Sequence, residues 1–412
     1  MSSLLRAALI VGGALLLAQP LAAEELTLEA AIGLAVEASP ALQARQEGIS
    51  AARAGQTQAG ARPNPVLSVE AENFAGTGPY DVFSQPELTV TYEQEIERGG
   101  KRDARLAYAD RDVDLAEAQR RVARLNLAQE VQRAYIDVQI AGEQVWLASR
   151  RLETERELQQ EALRRVRGYR DPLFVETRTE ARVAQAELAL AEAEARQSAA
   201  VERLASYWGG DPGGIEVADR MERSNPRRSG LAQADADLST SLIDRARAGV
   251  IIEQAYGVQN YSLSGGARYL RESNDVAFVA GVSIPLGRFD RNEGNIARAQ
   301  AERRRMELEA EADRLARLRR LADLRAEAEA ARIRADGIMQ DVYPSAARTL
   351  EQVREGYDRG GFRFSDLEDA ADVIIEAQEQ WVEAMIRYRD AQSEIDRLTG
   401  RFEPVSQAET TS

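Results

Sequence analysis

The acidic residues near the end of the chain have types and spacing that could support chemistry. They lie in the segment GYDRGGFRFSDLED (356–369), where three glycines interrupt a long helical pattern and Asp366 and Asp369 follow. Two carboxylates one helical turn apart could act as an acid–base pair or attract cations. A structural role is also open, because Ser365 and Glu368 have the spacing of a helix capping box.

The composition removes most enzyme classes. The 412 residues include no histidine and no cysteine, which excludes thiol nucleophiles, disulfides, zinc fingers and the serine–histidine–acid triad. Borderline metal ions prefer imidazole and sulfur ligands, so we expect no catalytic residue, no metal site and no cofactor. Acids outnumber bases by 68 to 53, which argues against nucleic acid as a partner.

The first 23 residues have the features of a secretory signal peptide. Arg6 is followed by an apolar stretch and by Leu21-Ala22-Ala23, a small-residue cleavage site. The apolar stretch is too short to span a bilayer, which favours cleavage over anchoring. No cysteine follows the cleavage site, so no lipid anchor is expected.

Two uninterrupted helical patterns predict helices far longer than a globular core requires. Residues 101–167 contain no proline and one glycine, and as a helix they would extend roughly 100 Å at about 1.5 Å per residue. Residues 292–354 repeat this behaviour, with Pro344 as the expected kink.

The helices that follow carry matching seams, which indicates an internal repeat. The spacing alternates between three and four residues, as in a coiled coil. The second seam is Ile374, Ala377, Trp381, Ala384, Tyr388, Ala391, Ile395 and Leu398, and 191 residues earlier stand Val183, Ala186, Leu190, Ala193, Gln197, Ala200, Leu204 and Tyr207. The polar Gln197 is the one conflict. We predict a first repeat at 24–209, a second at 210–400 and a disordered tail at 401–412.

Four short alternating segments predict strands ahead of the long helices, near residues 67–72, 88–93, 261–269 and 276–284. Two soluble hairpins packed on helices would fit the same alternation. Strands of about ten residues can also cross a membrane when tilted. Four strands would leave two open edges, whose backbone N–H and C=O groups find no hydrogen-bond partner in lipid. A membrane sheet therefore requires strands from more than one subunit. Turn residues mark the predicted strand–helix junctions: Pro63, Pro65, Gly99, Gly100 and Pro285.

The mature chain resembles the TolC-like outer-membrane efflux proteins. The opening LTLEAAIGLAVEASPAL (26–42) begins the resemblance, which continues to Gly400. The segments QEIERGGKR (94–102) and IPLGRFDRNEGNIARA (284–299) are most similar to the heavy-metal branch, the cobalt-zinc-cadmium and copper-silver exporters.

The resemblance implies a mainly α fold with a membrane β-barrel. Three copies would form a twelve-stranded barrel in the outer membrane of a Gram-negative bacterium and a periplasmic tunnel of long coiled-coil helices. This homotrimer would be a passive exit duct, joined by a periplasmic adaptor to an inner-membrane proton-driven transporter. Heavy-metal cations are the expected cargo. A drug or protein-export channel and a soluble periplasmic coiled-coil scaffold remain alternatives.

The same resemblance places the glycine-rich segment at the periplasmic tip, where the tunnel narrows. Gly360 would let the chain reverse, because glycine tolerates backbone angles that other residues avoid. In the family a tyrosine is followed by aspartates nine and twelve residues later, matched here by Tyr357, Asp366 and Asp369. Three copies of each aspartate would ring the constriction.

Two features of the tip depart from the family pattern. The family's arginine five residues after the tyrosine is replaced by Phe362, and Arg363 comes one position late. In the first repeat, Asp171 is expected to cap the next helix, with Pro172 in the first helical position, and Val175 stands at the position equivalent to Asp366, with Glu176 beside it. The acid ring is therefore expected mainly from the second repeat.

Overall fold

The computed structural model describes residues 25–81, 85–217 and 230–404. The predicted signal peptide and residues 405–412 of the predicted tail lie outside these ranges. The helices are α1 (Leu28–Ala38), α2 (Pro40–Ala59), α3 (Lys101–Arg167), α4 (Phe174–Ser206), α5 (Gln233–Tyr256), α6 (Glu293–Gly337), α7 (Tyr343–Asp358) and α8 (Phe364–Thr399). The strands are β1 (Val66–Glu72), β2 (Glu87–Ile96), β3 (Tyr261–Leu270) and β4 (Asp275–Ser283).

The first long helix forms as predicted. Helix α3 has 67 residues and begins directly after Gly100, whose φ is 69°. Its first half packs against α2 and α5, and its second half packs against α4 and α8. A helix of this length extends roughly 100 Å, so it connects the sheet to the far end of the molecule.

The second long helix contains a π-helical turn at Ile338–Val342, between α6 and α7. Pro344 follows in the first turn of α7. A proline has no N–H to donate to the carbonyl four residues earlier, here that of Gln340, which lies within the π turn. The irregularity is therefore at the predicted place, and its form is a π bulge.

Both predicted seams are buried to some extent along their whole length. All eight positions of each seam are buried or half-buried, and most of the fully buried ones are alanines. Small alanine side chains allow close approach of neighbouring helices. Gln197 is half-buried and lies over Gly142 of α3.

The four strands form one antiparallel sheet in the order β1-β2-β3-β4. The pairing register places every residue on a defined face, since directly opposed residues share a face. One face is apolar and uncharged, and its members are Leu67, Val69, Ala71, Leu88, Val90, Tyr92, Gln94, Ile96, Tyr261, Leu263, Gly265, Ala267, Tyr269, Val276, Phe278, Ala280 and Val282. Strands β1 and β4 are left as open edges, as the sequence predicts.

The hydrophobic core is divided into clusters along the helices. One cluster joins α1 to the middle of α3 and the end of α4, a second joins α6 to α8, and a third lies at the far tip. Among the described residues, no helix combines the length and apolar character needed to cross a membrane.

A buried polar network fastens the end of α8 to the middle of the bundle. Arg397 donates to both carboxylate oxygens of Asp235 at 2.8 and 3.1 Å. Asp396 accepts from the Gln132 amide at 2.8 Å and pairs with Arg401 at 3.0 Å. Asp235 and Asp396 are each only 3% exposed, so both depend on these donors for solvation.

Residues 401–404 belong to this packed region, although the sequence analysis assigns them to a disordered tail. The Glu403 carboxylate accepts the backbone N–H of Ala234 at 2.7 Å. Phe402 packs against the clusters around α3 and the start of α5. These contacts close the second half of the chain onto the first.

Replacement of Arg397 by alanine is expected to destabilise the folded chain by about 3 kcal/mol, because it leaves Asp235 charged and buried without its partner. The unfolding midpoint of the detergent-solubilised protein in denaturant would measure the loss. Glu383→Ala is the control, since its pair with Arg387 is exposed and should be worth about 0.5 kcal/mol or less. Equal small effects from both substitutions would contradict the prediction.

Candidate functional site

The far tip of the bundle consists of two turns. One joins α3 to α4 through residues 168–173, and the other joins α7 to α8 through residues 359–363. Gly360 has a φ of +82° and donates its N–H to the Tyr357 carbonyl at 2.9 Å. The glycine-rich segment is therefore the turn that the sequence analysis expects.

Tyr357 lies at the centre of a contact between the two turns. Its hydroxyl donates to Asp171 at 2.8 Å, and the Arg165 guanidinium lies 4.0 Å from the centre of its ring. Arg165 also donates to the Tyr357 carbonyl at 2.5 Å and pairs with Asp171 at 3.2 Å. The three side chains thus connect α3, the first turn and α7.

An apolar cluster surrounds this contact and determines its electrostatics. Tyr357 is 0% exposed and packs with Leu158, Ala162, Val175, Phe364, Leu367 and Ala371. Burial, followed by the neighbouring Asp171 carboxylate, raises the pKa of Tyr357 well above its ordinary value. The phenol therefore stays protonated and remains a hydrogen-bond donor.

The structure corrects one expectation for the first turn. The sequence suggests that Asp171 caps α4, with Pro172 in the first helical position. Helix α4 instead begins at Phe174 and has no side-chain cap, because the Asp171 carboxylate is occupied by Arg165 and Tyr357.

The two aspartates of the second turn have different environments. Asp366 is half-buried at the third position of α8, and its carboxylate accepts the backbone N–H of Arg363 at 2.7 Å. Asp369 is exposed one helical turn later. Asp366 therefore forms the capping hydrogen bond of α8. The capping box predicted for Ser365 and Glu368 is wrong, because the capping pair lies two residues earlier, at Arg363 and Asp366.

Glu368 is a buried carboxylate in a charge cluster whose other members include the partly exposed side chains of Arg178 and Asp372. It is 4% exposed and forms an ion pair with Arg178 of α4. Arg182, also on α4, donates to Glu155 of α3 at 2.8 Å and to Asp372 of α8 at 2.5 Å. Burial raises the pKa of Glu368, and the two arginines oppose this by a smaller amount.

This cluster is the part of the tip that the sequence analysis missed. The hydrogen bond to Glu155 is the largest influence on Arg182, and it raises the pKa of that guanidinium further above its ordinary value. Arg182 is adjacent to the seam residue Val183, and Asp372 is close to the second seam. Charged residues next to an apolar seam can form ion pairs between helices. Their positions in the sequence are the signal that could have predicted this cluster.

The remaining predicted tip residues lie on the two turns but do not join these clusters. Arg363 and Gly360 are in the second turn, and their side-chain positions are exposed. Glu176 is half-buried in the first turn of α4. Phe362, which replaces the family's arginine, packs over Gly356, where a side chain on the glycine would clash with its ring.

The predicted strand–helix junctions lie at the opposite end of the helices. Pro63 and Pro65 directly precede β1, and Pro285 follows β4. Gly99 and Gly100 both have positive φ, and a side chain on Gly99 would come within 2.6 Å of Val258.

Asn260 fastens one of these junctions. Its side-chain oxygen accepts from Lys101 at 2.7 Å, and its amide donates to Glu95 at 2.7 Å. The orientation of the strands relative to α3 is fixed by these contacts.

The second face of the sheet is rich in carboxylates. Within the four strands, its charged members are the acids Glu70, Glu72, Glu87, Glu93, Glu95 and Asp275 and the single base Arg268. The uncharged positions are mostly serine, threonine and glycine. A sheet with one apolar face and one acidic face can separate lipid from an aqueous passage.

Among the residues that the structure describes, no group of three or more acidic side chains is arranged to hold a metal ion. The carboxylates of the sheet are spread along the strands. The arrangement suits transient attraction of cations along a surface.

Comparisons with known proteins were made for the whole chain. The family model for the outer membrane efflux protein matches residues 31–210 and 231–401. The cobalt-zinc-cadmium resistance protein of Cupriavidus metallidurans is 30% identical over 388 residues, covering 92% of this chain and 91% of that protein. The nickel-cobalt-cadmium resistance protein of Alcaligenes xylosoxydans xylosoxydans is 28% identical over 297 residues, covering 67% and 66%.

Solved structures resemble the fold over nearly its full length. The outer membrane protein VceC from Vibrio cholerae superposes with a TM-score of 0.75, covering 90% of this chain and 96% of that chain, at 21% identity.

The tip contact yields a test of local stability. Tyr357→Phe removes the hydrogen bond to Asp171 and is expected to weaken the contact between the two turns by about 1–2 kcal/mol. Hydrogen–deuterium exchange of the amides in 168–174 and 356–364 would then be faster. Tyr169→Phe is the matched control, because Tyr169 lies on the first turn, two residues before Asp171, and is 98% exposed. Unchanged exchange in Tyr357→Phe would contradict the assigned contact.

Proposed function

Because the chain belongs to the outer membrane efflux protein family, we propose that this outer-membrane channel conducts divalent metal cations out of the cell as part of a tripartite pump. Three copies form the channel in this proposal. The observation that carries the choice of cargo is the acidic face of the sheet. The channel is passive, and energy enters at an inner-membrane transporter.

The open edges of the sheet support the trimer. Backbone N–H and C=O groups at β1 and β4 need partners within lipid, and pairing β4 of one copy with β1 of the next supplies them. Three copies give twelve strands, a barrel wide enough to hold an aqueous passage. The apolar face then meets lipid and the acidic face lines the pore.

The charge of the pore wall favours cations. Six acids and one arginine leave five net negative charges on this face of each chain, and a trimer carries fifteen. A narrow passage lined by one sign of charge concentrates counter-ions and repels ions of the same sign. The similarity to a cobalt-zinc-cadmium resistance protein supports divalent metals as the class of cation.

The periplasmic tip acts as the gate in this proposal. Asp366 and Asp369 of three copies surround the narrowed end of the tunnel and attract cations to it. The contact of Tyr357 with Arg165 and Asp171 holds each copy in the closed arrangement. Opening requires the two turns of each tip to separate.

The outer surface of the tip is suited to a periplasmic adaptor. Tyr169 and Leu173 of the first turn and Phe174 at the start of α4 are 98%, 71% and 62% exposed. Three exposed large side chains within six residues are costly to leave in water, and an apolar contact with a partner would bury them. We propose that they contact the adaptor that joins this channel to the transporter.

A growth experiment tests the cargo and the adaptor contact together. In a strain without the chain, the wild-type protein should restore tolerance to cobalt, zinc or cadmium ions. Leu173→Ser combined with Phe174→Ser should restore roughly a tenth of the tolerated concentration or less, because the pump no longer delivers cargo. Purified variant trimers should retain wild-type conductance.

Each part of this experiment can fail separately. If the wild-type protein restores tolerance to drugs and not to metals, the proposed cargo is wrong. If the double variant restores metal tolerance fully, the adaptor does not depend on this turn.

The gate has its own test in planar bilayers. Asp366→Asn combined with Asp369→Asn removes the charges while an amide oxygen can still cap α8. The closed channel is expected to leak at least about twofold more current, and block by divalent cations from the periplasmic side should weaken. Glu376→Gln, an exposed acid two turns further along α8, is the control. Unchanged leak and unchanged block would remove these aspartates from the gate.

A further inference from the structure

Arg268 makes contacts across three strands on the acidic face of the sheet. From β3 it donates to the Thr89 hydroxyl and to the Glu87 carboxylate of β2, both at 3.0 Å. It also pairs with Glu72 of β1 at 3.2 Å. It is the only base on this face within the four strands.

The register explains why a base is needed at this position. Glu72 and Glu87 are directly opposed across β1 and β2. Directly opposed residues have Cβ atoms about 5 Å apart, and two like charges at that distance repel each other. Arg268 lies beside this pair and neutralises part of its charge. The guanidinium supplies to Glu72 and Glu87 the positive charge that a bound cation would otherwise supply.

The pair lies at the outer mouth of the channel. Glu72 ends β1 and Glu87 begins β2, so both are next to the hairpin turn, and the other ends of these strands lead into α2 and α3. The helices are periplasmic in the proposed function, which places the hairpin turns on the outside of the cell. Cations leaving the channel must therefore pass Arg268.

We propose that Arg268 keeps divalent cations from binding at the exit of the channel, so that exported ions are released and not trapped there. This inference rests on the proposed conduction of metal cations. Without Arg268, three opposed pairs of glutamates would face the mouth, and carboxylate oxygens at such spacing can ligate a divalent ion. With Arg268 in place, the glutamates further inside attract cations, and the mouth releases them.

Planar-bilayer recording of purified trimers tests the inference. In Arg268→Gln, Zn²⁺ added to the outer side should block the potassium current at a concentration about tenfold lower than in wild type. The ratio of potassium to chloride permeability should also rise. Arg271→Gln removes the same charge three residues later, in the exposed turn outside the strands, and should leave the block unchanged.

Two further variants separate charge from folding. Arg268→Lys keeps the positive charge and should resist block as the wild type does. The double variant Arg268→Gln with Glu87→Gln breaks the carboxylate pair and should lose the added sensitivity to Zn²⁺. If Arg268→Gln inserts as a trimer and its Zn²⁺ sensitivity is unchanged, the inference is wrong. If Arg268→Gln does not assemble, Arg268→Lys decides: an Arg268→Lys channel blocked by Zn²⁺ at concentrations that spare the wild type would overturn the inference, because its positive charge is retained.

Failure of the proposed function would look different. A wild-type channel that prefers chloride to potassium would contradict conduction of metal cations, whatever the Arg268 variants do. A cation-selective wild type with an unaltered Arg268→Gln variant would overturn only the role of Arg268.

Discussion

The unsatisfied edges of a four-stranded sheet in lipid are the constraint on which the rest of the structure depends. Water is absent from the bilayer core, so the backbone groups of β1 and β4 must be paired by another copy. Once three copies close the barrel, each must continue into the periplasm with helices that also close a ring. Helices as long as α3, packed closely by the alanine-rich seams of α4 and α8, meet that requirement.

Charge is arranged differently in the two parts of the molecule. In the sheet, alternation separates an uncharged face from a face with six acids, and this acidic face lines the passage in the proposed channel. In the bundle, buried charges such as Asp235 and Asp396 are fully paired and hold helix ends in place. Removing one partner from such a pair lowers the free energy of unfolding strongly, because the other charge stays buried without a partner. Replacing both partners by apolar residues changes it much less. Single substitutions at these positions therefore threaten the fold.

The sequence was sufficient for the elements whose signal is periodic. Lys101 and Arg167 were correctly predicted as the ends of α3, because a long run without proline has few alternatives, and the four strands were found by alternation. Contacts between distant residues had no such signal. Nothing local indicates that Asp171 serves Tyr357 instead of capping α4, or that the capping residue of α8 is Asp366 instead of Ser365. The division into two repeats and the gating roles remain predictions.

The contacts between the helices at the tip suit the opening movement that the proposed gate requires. A small apolar cluster surrounds Tyr357, but the connections between the two helical hairpins are largely polar: Arg165 to the Tyr357 carbonyl, Arg178 to Glu368, and Arg182 to Asp372. When apolar surface is separated, its full burial is lost, whereas charged groups that separate regain water or new partners. In the proposed gate, the free-energy difference between the closed and open arrangements is therefore smaller than a purely apolar contact of the same size would give. The adaptor contact proposed at Leu173 and Phe174 would then shift this balance with the energy of a modest interface.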